Sequence, residues 1–548
     1  MTFVTLWREE YDAGTMRPCD FILASMKSPT TLSDLLAAQR GTGGCLIDLD
    51  RPLAYGDLED ESRRVAHGLA ALGVQHGDRV ALWLPNVPAW LACFFACARL
   101  GAIALAVNTR FRSAELADII DRAGVTVLVM WPGYRDIDFA GILASVDPAA
   151  LSRLKTVVVY GEGPQEKALP VIQGRRIARY RDVAASPAMA DDRAKAGDGC
   201  VIFTTSGTTR APKFVLHSHA GIIRHAADIA RSFGLDARDA CSLLTVPLCG
   251  VFGFCLALAT LHAGRTLAML PAFDADAAAS AIRRHRVTHM LAVADIVAQL
   301  LRAAPEERPF PALRMVVGAR HGQAAPAERR GLHLVGVYGS SELQAMLSRQ
   351  ASDAAPEQRE LGGGSMVAAD AKVRARDAAT GAILPDGAQG ELEFLAPSRM
   401  IGYFGDPDAT QRAFTDDGYF RSGDLGYTVP GGYVFVARMG DALRLSGFLV
   451  NPLEIEAVID RHPAVAASQV VGVEGARGLQ PVAFVIPSQR APLDEADVVL
   501  YCRDRMAHYK VPARILTIDA FPVTPSANGN KIQKARLREL AQLRLRDS

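Results

Sequence analysis

Val201-Ile-Phe-Thr-Thr-Ser-Gly-Thr-Thr-Arg-Ala-Pro-Lys213 is a short apolar β run that stops abruptly in hydroxyls. Cys200 to Thr204 read as a short β-rich run. Thr205, Ser206, Gly207, Thr208 and Thr209 read as the loop this strand delivers to a surface. Four hydroxyls and the loop's backbone N–H groups can wrap phosphate oxygens, while the ammonium of Lys213 offsets their charge. The spacing is not the GxxxxGK plus Ser or Thr of P-loop NTPases, which disfavours that class. Taken alone, such a loop is usually just a turn.

Outward from this loop, β-rich runs at 79–84, 125–131, 156–160 and 287–293 alternate with helical stretches such as 61–72, where Val65, Leu69 and Leu72 share one face. That alternation predicts an α/β fold: a large N-terminal domain of parallel-rich sheets covered by helices. From about Gly381, Pro385-Asp-Gly387, Asp416-Asp-Gly418 and Pro430-Gly-Gly432 separate short strands and predict a β-rich subdomain. After Arg438 a compact α+β portion is expected, with strands at 468–473 and 482–486 and a helix at 495–506. The domain boundary therefore falls between 1–438 and 439–548.

The 548 residues, 49% of them hydrophobic, exceed what one core fills, so two or three packed units are expected. Sixty Lys plus Arg nearly cancel 59 Asp plus Glu, which argues against nucleic acid or an anionic membrane as partner. Nine cysteines form no CxxC pair, and runs such as Ala92-Cys-Phe-Phe-Ala-Cys97 place them as small hydrophobes. With no basic, apolar leader at the N-terminus, a cytoplasmic location is expected. The apolar stretches 89–107 and 251–270 carry Arg99 and Gly101, and His262 and Arg265, so they read as buried helix-plus-strand units rather than membrane spans.

Thr205-Ser-Gly-Thr-Thr-x-x-Pro-Lys213 resembles the phosphate loop of the adenylate-forming superfamily, the acyl-CoA synthetase and AMP-dependent ligase group, with Arg210 where the family usually has Gly. Tyr338-Gly339-Ser340-Ser341-Glu342 stands where the family has Tyr-Gly-x-Thr-Glu. The resemblance implies that Tyr338 stacks on adenine and Glu342 helps hold Mg2+. Gly318 joins the nucleotide-binding set on the same ground. Gly418-Tyr-Phe-Arg-Ser-Gly-Asp424 is similar to the family's ribose motif, with Asp424 on the ribose hydroxyls and Arg438 as a second contact. Gly390-Glu-Leu and Gly402-Tyr-Phe also match, and the resemblance spans about residues 50 to 535.

Further on, Arg438-Met-Gly-Asp-Ala-Leu-Arg-Leu-Ser-Gly447 resembles the family hinge and thioester-forming segment, with Gly440 at the pivot followed by Asp441. Ser446 and Gly447 would meet the pantetheine arm of coenzyme A. Phe521-Pro-Val-Thr-Pro-Ser-Ala-Asn-Gly-Asn-Lys531 resembles the lysine loop with one extra residue, Asn530, implying Lys531 as catalytic lysine and Lys534 as the alternative register. Val246-Pro-Leu-Cys249-Gly250-Val251 occupies the acid-pocket position. Its small, uncharged residues imply an apolar aliphatic or aromatic acid rather than an amino acid.

The implied activity is ATP-dependent formation of an acyl-adenylate, then transfer to coenzyme A, with ATP, Mg2+ and CoA as cofactors. Fourteen residues follow Lys534, so free CoA is the expected acceptor and a separate acyl carrier protein the alternative. A homodimer is also allowed. A non-catalytic acyl or nucleotide binder is the reading of a different class, raised by Arg210, Gly440 and Asn530.

Overall fold

The computed structural model describes residues 29–546 apart from 136, 162–174, 206–211, 293, 319–323, 442, 446–447, 476–477, 489–491 and 527–528. Two parallel-rich sheets face each other across a layer of helices. One has eight strands and is centred on Ile103–Ala106, with Gly199–Thr205 and Arg79–Trp83 as its parallel neighbours. The other has seven, running from Leu334–Val335 through Met315–Val317, His289–Leu291 and Cys241–Leu244 to Thr266–Met269 and beyond. All but its outermost pairing are parallel.

Between the sheets lie Pro88–Leu100 and Val251–His262, almost wholly buried and, Arg99 and His262 in their last turns aside, mainly apolar. A helix enclosed by two sheets has no solvent face, which removes the amphipathic stripe and leaves the membrane-like composition. Each helix runs directly into a strand, Ile103–Ala106 and Thr266–Met269, as the sequence suggests. Among the described residues no helix is long and apolar enough to cross a membrane. Pro88 opens the first helix and Gly101, at φ 67°, closes it. A side chain at Gly101 would meet the His76 ring, so its small size is required twice.

A third, antiparallel sheet begins at Val337–Tyr338, well before the Gly381 expected from turn signals. Its strand Gly363–Met366 has no strand-like composition; pairing with Tyr433 and Val434 makes it one. The chain crosses from the second sheet to the third at Gly336, where a Cβ would strike the carbonyls of Arg359 and Leu361. This crossing places the Tyr338–Glu342 motif where the three sheets converge.

From Leu443 onward a small unit has its own cores, one around Ile455, Val470 and Ala483 and another around Val473, Phe484 and Leu537. Its sheet joins Val465–Gly475, Gly478–Pro487 and Arg514–Thr517. The helix expected over 495–506 ends at Arg503.

Candidate functional site

A cavity of about 1560 Å³ opens where the sheets meet. The two ends of the hydroxyl loop reach it as an antiparallel pair, Thr205 opposite Lys213, near one side of the eight-stranded sheet. Ser206, Gly207, Thr208 and Thr209 lie outside the described residues, as do Ser446 and Gly447.

Gly339, Ser340, Ser341 and Glu342 line the cavity from a sharply turned segment. Ser341–Leu343 is a single 3-10 turn, and Gln344 and Ala345 follow it with φ 58° each, the left-handed region that side chains disfavour. Gly339 lets the segment fold back, since a Cβ there would lie 1.2 Å from the Ala345 carbonyl oxygen. The turn is held from several elements at once. His217 Nε2 donates to the Ser341 carbonyl and His225 Nε2 to that of Gln344, both at 2.8 Å. Cys255 Sγ also donates to the Gln344 carbonyl at 3.1 Å, and the Met400 N–H donates to the Glu342 carbonyl at 2.7 Å. Burial pushes both imidazoles down to about 4, so they remain neutral donors through the physiological range. The Glu342 carboxylate accepts from the Tyr403 hydroxyl at 2.9 Å.

Asp424 comes from the antiparallel strand Phe420–Val429, beside Arg438 in the register of the neighbouring strand. Arg438 Nε stands 3.2 Å from Asp424 Oδ1, and the Tyr338 hydroxyl donates to Asp424 Oδ2 at 2.6 Å. Tyr338 itself stands behind the lining residues, its ring set against Phe394, Tyr433 and Phe435. Gly318 also stands behind them. At φ 107°, its missing side chain leaves room for the Ala292 carbonyl.

Cys249, Gly250, Val251, Phe252 and Phe203 form an uncharged part of the lining. The turn that presents them is fastened by buried Asn86, which donates to the carbonyls of Val246 and Leu270 and accepts from the Leu248 N–H. Burial raises the Cys249 thiol to about 12, so it is a small neutral wall and not a nucleophile.

Among the described residues, none beyond Arg438 lines this cavity. Lys531 lies in the hairpin strand Gly529–Ile532, opposite Thr524. Lys534 pairs with the buried Glu456 carboxylate at 3.2 Å, within the small unit. His217, His225, Asn86 and Tyr403 are site-building residues that the motif reading passed over. Of these, Tyr403 alone sat in a recognised motif, Gly402-Tyr-Phe.

Two facing parallel-rich sheets, a hydroxyl loop on a strand end and a carboxylate from each of two further segments in one cleft define an α/β nucleotide-using enzyme. The chain belongs to the adenylate-forming acyl-CoA synthetase family: the AMP-binding enzyme profile matches residues 36–404, and the AMP-binding enzyme C-terminal domain matches 454–528. It is 29% identical to 4-coumarate–CoA ligase 5 of Oryza sativa subsp. japonica over 89% of this chain and 90% of that protein. It is 32% identical, over 92% and 97%, to a CoA ligase of Mycobacterium tuberculosis strain H37Rv named for a methyl-dioxo-octahydroindenyl propanoyl group. The crystal structure of ATP-bound MatB from Rhodopseudomonas palustris superposes with a TM-score of 0.77 at 26% identity, covering 93% of this chain and 99% of that one.

Proposed function

We propose that this chain ligates an apolar carboxylic acid to CoA in two half-reactions that share one cleft. The observation that carries the reading is the convergence of Thr205, Lys213, Glu342 and Asp424, from separate segments, on a single cavity. In the first step a carboxylate oxygen of the acid attacks the α-phosphorus of ATP and pyrophosphate leaves. In the second the CoA sulfur attacks the acyl carbonyl, its proton is lost, and AMP leaves.

The Thr205–Lys213 loop holds the phosphates, Asp424 accepts from the ribose hydroxyls, and Arg438 supports the ribose or phosphate. Glu342 is a lone hard-oxygen donor, with no cluster of three or more ligating side chains among the described residues. A single carboxylate that shares its ion with nucleotide phosphates is the donor set Mg2+ takes. The ion, when bound, neutralises charge on the phosphate oxygens. Lys531 supplies the cation for adenylation, brought from a small domain, 439–548, that turns about Gly440 against the large domain, 1–438. The same turn withdraws the lysine and presents Ser446 and Gly447 to the pantetheine arm.

The uncharged Cys249–Phe252 segment supports an apolar acid, and the ring-bearing acyl groups named for two relatives agree with it. Reduced cysteines, buried except for the half-buried Cys45 among those described, suit a cytoplasmic enzyme. ATP–pyrophosphate exchange across aliphatic, aromatic and alicyclic acids tests the reading. Exchange with at least one apolar acid, then thioester formation on adding CoA, is expected; no exchange with any acid defeats it. Holo carrier protein in place of CoA separates the two acceptors.

A further inference from the structure

Tyr403 is the residue of this cleft that no motif role accounts for. It sits in the two-residue strand Gly402–Tyr403, paired to Val215 of the strand that begins at Lys213, and its N–H donates to Thr410 Oγ1 at 2.8 Å. Its ring lies beside both Lys213 and the Ser341–Leu343 turn. The hydroxyl donates to Glu342 Oε1 at 2.9 Å, and the Lys213 Nζ lies over the ring at 4.4 Å from its centroid. Lys213 and Glu342, opposite charges at one end of the cavity, do not pair with each other. The tyrosine stands between them, binding the carboxylate by its edge and the ammonium by its face.

We propose that Tyr403 is a positioning residue for the phosphate end of the nucleotide, holding Glu342 turned toward the metal and keeping Lys213 from collapsing onto it. This rests on the ligase reading above. A direct Lys213–Glu342 pair would neutralise the two groups that the triphosphate and its ion must meet. The ring blocks that pair without adding a competing charge.

The two contacts separate by substitution. Tyr403→Phe removes the hydroxyl and leaves the ring; Tyr403→Leu removes both. Each is compared with the wild-type full chain by calorimetry of Mn2+ binding in the presence of a non-hydrolysable ATP analogue, and by pyrophosphate exchange at varied Mg2+ and ATP. Loss of a hydrogen bond to a charged carboxylate should raise the metal concentration for half-saturation about fivefold in Tyr403→Phe, with the KM for ATP at saturating metal within about twofold. Tyr403→Leu should raise that KM as well, by about tenfold, as the lysine is released to pair. Unchanged metal affinity in Tyr403→Phe overturns the proposal, as does an identical response in the two variants. If Tyr403→Leu melts early, the phenylalanine variant still decides. A wild-type chain that binds neither analogue nor metal defeats the ligase reading itself; normal wild-type binding matched by Tyr403→Phe defeats only the role of Tyr403.

Discussion

The cleft of the large unit and the lysine hairpin of the small one solve opposite problems. In the cleft two carboxylates are held where they stand: Glu342 by Tyr403, and Asp424 by Tyr338 and Arg438, on backbone that several elements fasten. In the small unit Lys534 is fastened as well, drawn to a Glu456 carboxylate that also accepts from the Val470 N–H. Lys531 belongs instead to a two-stranded hairpin outside the small unit's main sheet. Fixed charges suit binding a nucleotide that returns to the same place each cycle. In the proposed cycle, a cation needed in one half-reaction and in the way during the next belongs on a part that can leave.

The sharpest way to break this contrast is Lys531→Ala. Loss of a cation aimed at developing charge should lower adenylation on the order of 10²-fold, read by pyrophosphate exchange, while thioester formation from supplied acyl-adenylate stays near wild type. Equal loss in both half-reactions would show that the lysine serves the fold and not the first step. The neighbour should behave in the reverse manner. Lys534→Met leaves Glu456 buried without its cation, and burial already raises that carboxyl against the opposing pull of Lys534. Urea unfolding of the small unit should weaken by about 2 kcal/mol, with adenylation at low denaturant nearly intact. A collapse of adenylation in Lys534→Met would instead place the working lysine three residues further on.

The same contrast explains what was legible in the sequence. Strand and helix alternation placed the strands it named to within two residues, as with 125–131 against the observed Val127–Met130, but did not show that they divide between two sheets. The third sheet was read as starting too late because Gly363–Met366 takes its form from partners some seventy positions away. That Glu342, Asp424 and Lys213 share one cavity could be anticipated because each stands at the end of a recognisable motif. The roles of His217 and His225 could not, since each works through a backbone carbonyl 124 or 119 positions distant. A histidine whose partner is a carbonyl leaves no pattern along the chain.

Those histidines supply the smallest effect and the finest test, because they tie the fixed side of the contrast to pH. His217 and His225 fall to about 4 in the folded chain, against an unfolded value near 6.5, and burial is the main cause. Above pH 6.5 both are neutral folded or unfolded, and their contribution to stability is complete. As pH falls from 6.5 toward 4 the unfolded chain takes up protons that the folded chain refuses, so stability drops through that window. Removing one such site with His225→Asn should flatten the acid-side slope by up to about 1.4 kcal/mol per pH unit, seen in urea midpoints between pH 5 and 6. Hydrogen exchange locates the effect: in the wild type, the amides of Leu343 and Ala345 should lose protection on acidification before those of Val470 and Ala483 in the small unit. Uniform loss across both units would mean that the turn bearing Glu342 opens only with global unfolding, and the cleft would then owe its rigidity to the whole fold instead of to two neutral imidazoles.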